Sequence, residues 1–85
     1  MLNQTILVGK VDAVGATEIM LAVTKNYKNK DGEYDTNYFR VFFADGMSES
    51  LALLEKDMTV AIKGRLEQEY YTAPLQVWAD KLSFL

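Results

Sequence analysis

Met47-Ser48-Glu49-Ser50-Leu51-Ala52-Leu53-Leu54-Glu55-Lys56 is the one stretch of this chain whose apolar residues recur at helical spacing. Met47, Leu51 and Leu54 stand at i, i+4 and i+7, on one side of a helix. Asp45 is the expected N-cap, with Ser48 as the alternative if the helix starts later; the helix should run about three turns. On either side of it the apolar period is two, so the helix interrupts a β protein.

Upstream, Thr36 to Ala44 reads as a third strand, a bulky run through Tyr38, Phe39, Val41, Phe42 and Phe43. Asp31-Gly32 before it signals a two-residue hairpin of type I′, in which both residues take positive φ. Glu18 to Lys25 reads as a second strand, with Ile19, Leu21 and Val23 on one face and Met20 and Ala22 on the other. Apolar residues on both faces imply cover on both, from a barrel or from a second subunit. Thr5 to about Asp12 is the first strand, with Gly9 marking a bulge or bend, and Val14-Gly15-Ala16 is a turn. Downstream, Met58 to Tyr70 is a fourth strand. Val60, Ile62, Gly64 and Leu66 share one face of it, and Thr59, Lys63 and Arg65 the other. Ala73-Pro74 breaks the pattern, and Leu75 to Phe84 is a fifth strand. Three strands, a helix and two strands is the element order of the OB-fold, an all-β, five-stranded, partly open Greek-key barrel with its helix between strands three and four. No repeat or linker is visible, so residues 1–85 are expected to form a single OB-fold domain.

Composition removes most chemistries. The chain of 85 residues has neither cysteine nor histidine. That excludes a disulfide framework, a thiolate nucleophile, a cysteine-ligated zinc and an imidazole base. The serines lie only in the helix region and at Ser83, so no nucleophile–base pair emerges. Asp31-Gly32-Glu33-Tyr34-Asp35 resembles part of a calcium loop, but aligning Gly32 with the loop glycine places Tyr27 and Tyr38 at the end ligands, which fails. No enzyme activity, cofactor, metal or small-molecule substrate is expected. Met1-Leu2-Asn3-Gln4 lacks the features of a signal peptide, and no segment approaches a membrane span. A cytoplasmic protein is the expectation.

The net charge is −3, but the charge is unevenly spread. Residues 1–30 carry Lys10, Lys25, Lys28 and Lys30 against Asp12 and Glu18, and most of the acid follows. Lys25-Asn26-Tyr27-Lys28-Asn29-Lys30 sets three cations around one aromatic ring with no acid among them. Cations for phosphates and a ring for an unstacked base are the two parts of single-stranded nucleic-acid binding. The candidate phosphate contacts are Lys25, Lys28, Lys30, Arg40, Lys63 and Arg65. Trp78 shares a face with Gln76 and Asp80, which suits an extra stacking platform or an interface anchor.

The chain resembles the single-stranded DNA-binding protein (SSB) family of bacteria and phages. Four segments carry the resemblance in order: Met1 to Lys10, with its Asn3 and its Val8-Gly9-Lys10; Leu21-Ala22-Val23 with Tyr27 and Gly32-Glu33; Gly64-Arg65-Leu66 with Tyr71; and Ala79-Asp80 with Phe84-Leu85. The resemblance implies sequence-independent binding of single-stranded DNA in replication, recombination or repair. It also implies stacking of bases on Tyr27, Tyr38 and Tyr71, and a homo-oligomer, dimer or tetramer. An aromatic expected late in strand three aligns with Ala44. The loops after strands one and four are short, and the family's acidic C-terminal tail is absent. Glu67-Gln68-Glu69 stands where the family is basic or neutral. The net negative charge and Glu67 and Glu69 favour an alternative, an OB-fold protein-interaction module of the primosome-accessory kind with weak or no DNA binding. An RNA-binding role stays open, since no residue reads a 2′-hydroxyl.

Overall fold

In the computed structural model, which describes residues 1–85, five strands close into a barrel. They are β1 (Thr5–Val14), β2 (Glu18–Lys28), β3 (Tyr34–Phe43), β4 (Thr59–Glu67) and β5 (Gln76–Phe84). A 3₁₀ turn, Asp45–Met47, and a short helix α1, Ser48–Ala52, lie between β3 and β4. The order round the barrel is β1-β2-β3-β5-β4, with β4 returning to β1. Every pairing is antiparallel except β3 with β5, a short parallel seam joining Val41, Phe42 and Phe43 to Val77, Trp78 and Ala79. This is an OB-fold, all-β with one short helix. No helix is long and apolar enough to cross a membrane.

Alternation fills the barrel. Val11, Ile19, Leu21, Val41, Val60 and Ile62 are fully buried, one or two from each of four strands. Leu51 and Leu54 join that core and Met47 packs against it, as their helical spacing predicts. The helix itself is shorter than the expected three turns, and neither expected cap holds. Ala44 occupies the N-cap of the 3₁₀ turn and Met47 that of α1, both without a side-chain bond. The chain instead tightens at once: Leu54 N–H bonds to the Leu51 carbonyl, three residues back, at 3.1 Å. Asp57, at φ 73°, then turns the chain and donates its N–H to the Val11 carbonyl at 2.7 Å. Returning β4 to its place beside β1 so quickly leaves no room for a third turn.

The hairpin between β2 and β3 also differs from its sequence reading. Only Gly32 takes positive φ, 78°, so Asp31-Gly32 is not a type I′ pair. The loop is five residues, Asn29 to Glu33, closed by the Asn29 N–H on the Glu33 carbonyl at 2.7 Å. The Asn29 side-chain oxygen accepts from the N–H groups of Asp31, at 2.9 Å, and Glu33, at 3.0 Å. Asparagine competing for local backbone donors overrides the glycine signal. Both strands consequently run further, β2 to Lys28 and β3 from Tyr34. Thr24 pairs with Thr36 and Lys28 with Tyr34, so Lys25, Asn26 and Tyr27 bulge opposite Asp35 alone.

Gly9 is not itself a bulge. It pairs with Val60, and the β1–β2 irregularity falls between Val11 and Ala13. The glycine is needed because β1 crosses β2 closely: a Cβ there would overlap the Ala22 carbonyl oxygen. Gly64 does the same between β4 and β5, where a Cβ would overlap the Trp78 carbonyl oxygen. At the far end of β4, the Asn3 side chain acts as one more strand residue. It donates to the Leu66 carbonyl at 2.6 Å and accepts from the Leu66 N–H at 3.0 Å. β4 stops at Glu67 rather than Tyr70, because Gln68 turns inward and donates to the carbonyls of Tyr71 and Ala73.

Candidate nucleic-acid interface

β3 organises the outer surface. Phe39, Val41 and Phe43 face the core, so alternation sends Tyr34, Thr36, Tyr38, Arg40 and Phe42 to the outside. Their partners on β2 are Lys28, Thr24, Ala22, Met20 and Glu18 respectively. The Thr24 and Thr36 hydroxyls meet at 3.3 Å. On the other flank, Trp78 of β5 stacks on Phe42, with ring centroids 5.4 Å apart and planes at 24°. Tyr38, 60 % exposed, stands between two depressions. One, of about 550 Å³, runs toward Pro74, Leu75 and Gln76 and includes Arg40 and Phe42. The other, of about 360 Å³, is lined by Val8, Lys10, Ala22, Thr24 and Thr36. The face of strands two and three, with the adjoining loop between strands four and five, is where OB-folds hold oligonucleotides.

The β2–β3 arm projects beyond this face. Tyr27 sits in its bulge, 63 % exposed, with the Lys25 ammonium 5.7 Å from the ring centroid. Lys28 lies 5.8 Å from the ring of Tyr34, which is 55 % exposed. An ammonium at that distance is weakly held by the ring's negative face and stays available to water or an anion. Lys25, Lys28 and Lys30 form no ion pair, whereas both arginines do. The arm's Asp35 alternates to the opposite face of β3 from Tyr34, and its carboxylate takes a hydrogen bond from the Asn29 amide at 3.0 Å.

The other expected site residues are dispersed. Arg40 shares the Tyr38 face, but its Nε lies 3.1 Å from a Glu18 carboxylate oxygen. Lys63 pairs with Ile6 of β1 and Lys81 of β5, on a strand that neighbours neither β2 nor β3. Arg65 lies over Trp78, 6.0 Å from the ring centroid, and is tied down on both sides. Its Nε donates to Glu67 at 2.8 Å and its Nη1 to Asp80. The Glu67 hydrogen bond, seconded by Asp80, holds the guanidinium above its ordinary pKa against the opposing effect of desolvation. Tyr71, 93 % exposed, lines neither groove flanking Tyr38. Tyr34 lies two residues before the strand start at Thr36 that the sequence predicts, and the structure places it in β3. Its even spacing with Tyr38 and Phe42 was the signal for a shared face. No group of three or more acidic side chains is arranged to hold a metal ion.

A five-stranded OB barrel with an exposed aromatic face and a basic arm is the class these features define. No family model and no curated protein sequence matches the chain. Solved structures do. A deletion mutant of the single-stranded DNA-binding protein from Thermus aquaticus aligns at TM-score 0.72 and 25% identity, over 99% of this chain and 50% of that one. The small single-stranded DNA-binding protein from Streptomyces coelicolor aligns at TM-score 0.66 and 18% identity, over 99% and 94%. The protein priB from Ralstonia solanacearum aligns at TM-score 0.78 and 12% identity, over the whole of both chains. The chain thus spans about half the length of the Thermus protein. The SSB resemblance read from the sequence is borne out at the level of structure: this is an SSB-like OB-fold.

Proposed function

We propose that this protein binds single-stranded DNA without sequence preference, as a non-catalytic single OB-fold domain of the cytoplasm acting in replication, recombination or repair. The observation that carries this reading is the pairing of exposed tyrosines with uncompensated lysines on the β2–β3 arm, continuous with Tyr38 on the barrel. Rings accept any base because every base has a π face, and cations without prior partners accept phosphates. Tyr27 and Tyr38 stack in this reading, with Tyr71 reached from its loop. Lys25, Lys28 and Lys30 meet phosphates without competition, while Arg40, Lys63 and Arg65 contribute less. The exposed Ile6 and Val8 on the outer side of β1 support a homo-oligomer, since a second copy would remove them from water. Sedimentation equilibrium at tens of micromolar should show a dimer or tetramer; a monomer would sink the assembly.

A second reading is a protein-interaction module. The carboxylates that occupy Arg40 and Arg65 favour it, because they withhold both arginines from phosphate. Titration of labelled oligo-dT and of duplex DNA separates the two. Binding of oligo-dT should exceed that of duplex and weaken with salt. Tyr27→Ala should cost about 1–3 kcal/mol of binding with melting nearly unchanged, and Tyr27→Phe should retain most affinity. If Tyr27→Ala melts early yet binds as the parent does, the ring is structural. If the parent binds no single strand at low salt, the interaction module is the better reading.

A further inference from the structure

We infer that the nucleic acid follows β3 lengthwise, and that Tyr34 at one end and the Phe42–Trp78 pair at the other are stacking subsites additional to Tyr27, Tyr38 and Tyr71. This rests on the single-strand reading above and specifies its path. Tyr34, Tyr38 and Phe42 occupy every fourth position on one face of one strand, and Trp78 extends the last of them sideways onto β5. At about 3.4 Å per residue the three rings are spaced by roughly 13–14 Å and the row is about 27 Å long. Bases stacked in a duplex strand are about 3.4 Å apart. Successive rings therefore hold bases that are not neighbours in a continuous stack, and the nucleotides between them cross polar positions.

Those positions suit a backbone. Thr36, with the Thr24 hydroxyl 3.3 Å away, lies between Tyr34 and Tyr38. Arg40 lies between Tyr38 and Phe42. The cations bordering the row are Lys28, opposite Tyr34, and Lys10, opposite Ala22 on β1. Glu18, set against Arg40, is the carboxylate on the β2–β3 part of the row, and Glu67 and Asp80 stand at its Trp78 end, where Arg65 offsets them. Asp35 and Asn37 alternate to the other face of β3. The two grooves beside Tyr38 give the chain depth on either flank of the same line. A row of this length accommodates roughly four to eight nucleotides, at the low end of OB-fold site sizes.

Trp78 is the only tryptophan, which supplies a direct readout. Anisotropy of labelled dT12 would give affinity for the parent, Tyr34→Ala and Tyr34→Phe, with tryptophan emission followed in the same titrations. The expected result is a loss of roughly 5- to 150-fold for Tyr34→Ala, the range for one stacking contact. Tyr34→Phe should restore parental affinity, and Trp78 emission should change on saturation. Parental affinity in Tyr34→Ala, or emission unmoved at saturation, overturns the path while leaving single-strand binding intact. Failure of the parent to bind dT12 at low salt overturns both.

Discussion

The β2–β3 arm and the β4–β5 corner carry the same ingredients, an aromatic ring with a cation over it, and use them oppositely. On the arm, Lys25 and Lys28 hover over Tyr27 and Tyr34 with no carboxylate in contact. At the corner, Arg65 over Trp78 is held by Glu67 and Asp80. A phosphate arriving at the arm displaces water, whereas at the corner it must displace two charge-assisted hydrogen bonds. Net charge hides this difference. What decides whether a cation serves an anionic ligand is whether it already has a partner.

The corner is also the more tightly built of the two, and that can be broken first. Gly64→Ala would drive a methyl into the Trp78 carbonyl, and neither backbone can yield without disturbing the β4–β5 pairing. It should cost about 3 kcal/mol or more, the upper end of overpacking. Gly32→Ala on the arm meets open space, and only the positive φ opposes it. About 1–2 kcal/mol is expected there. At roughly 4–8 °C per kcal/mol for a domain of this size, thermal melting would separate the two variants clearly. Equal melting temperatures would show that the corner is not held by close approach.

The second test converts the corner into an arm. Glu67→Gln combined with Asp80→Asn removes both partners of Arg65 while keeping side-chain shape. These ion pairs are a third to a half exposed, so the stability change should stay within about 1 kcal/mol. Affinity for oligo-dT should rise several-fold, and the salt slope should steepen by about 0.7, one more phosphate neutralised. An unchanged slope would place the corner off the path of the strand.

The barrel was legible because period two and one helical interval are properties of burial, which sequence patterning records directly. Leu51, Leu54, Val60 and Ile62 are buried as their spacing demands. The arm was misread because its geometry depends on one side chain bonding to three nearby groups. Asn29 captures the loop, lengthens both strands and creates the bulge that aims Tyr27, and Asp31-Gly32 alone predicts a different turn. Arg65 is legible as a cation, but its partner Asp80 lies fifteen residues away and is joined to it only by the pairing of β4 with β5. Gly9 is legible as an unusual strand residue, but the reason for it, and for Gly64, lies in backbones that cross from elsewhere in the chain.

The smallest effect expected is the loss of a single arm lysine, and it discriminates well despite its size. Lys28 contacts no carboxylate, so if it meets a phosphate in the proposed complex, Lys28→Ala removes that one contact and leaves no buried charge behind. The salt slope for oligo-dT should fall by about 0.7, with affinity down only a few-fold at moderate salt and melting unaltered. Lys28→Arg should restore the slope, since a guanidinium serves both the phosphate and the Tyr34 ring. Lys63→Ala is the matched control. It removes the same charge from β4, where Lys63 pairs with Ile6 and Lys81 rather than with any aromatic residue. If the strand keeps to the arm and β3, the Lys63 variant flattens the slope less than the Lys28 variant does. Equal flattening by both variants would mean that the nucleic acid wraps the whole barrel, and the contrast between arm and corner would then lose its functional meaning.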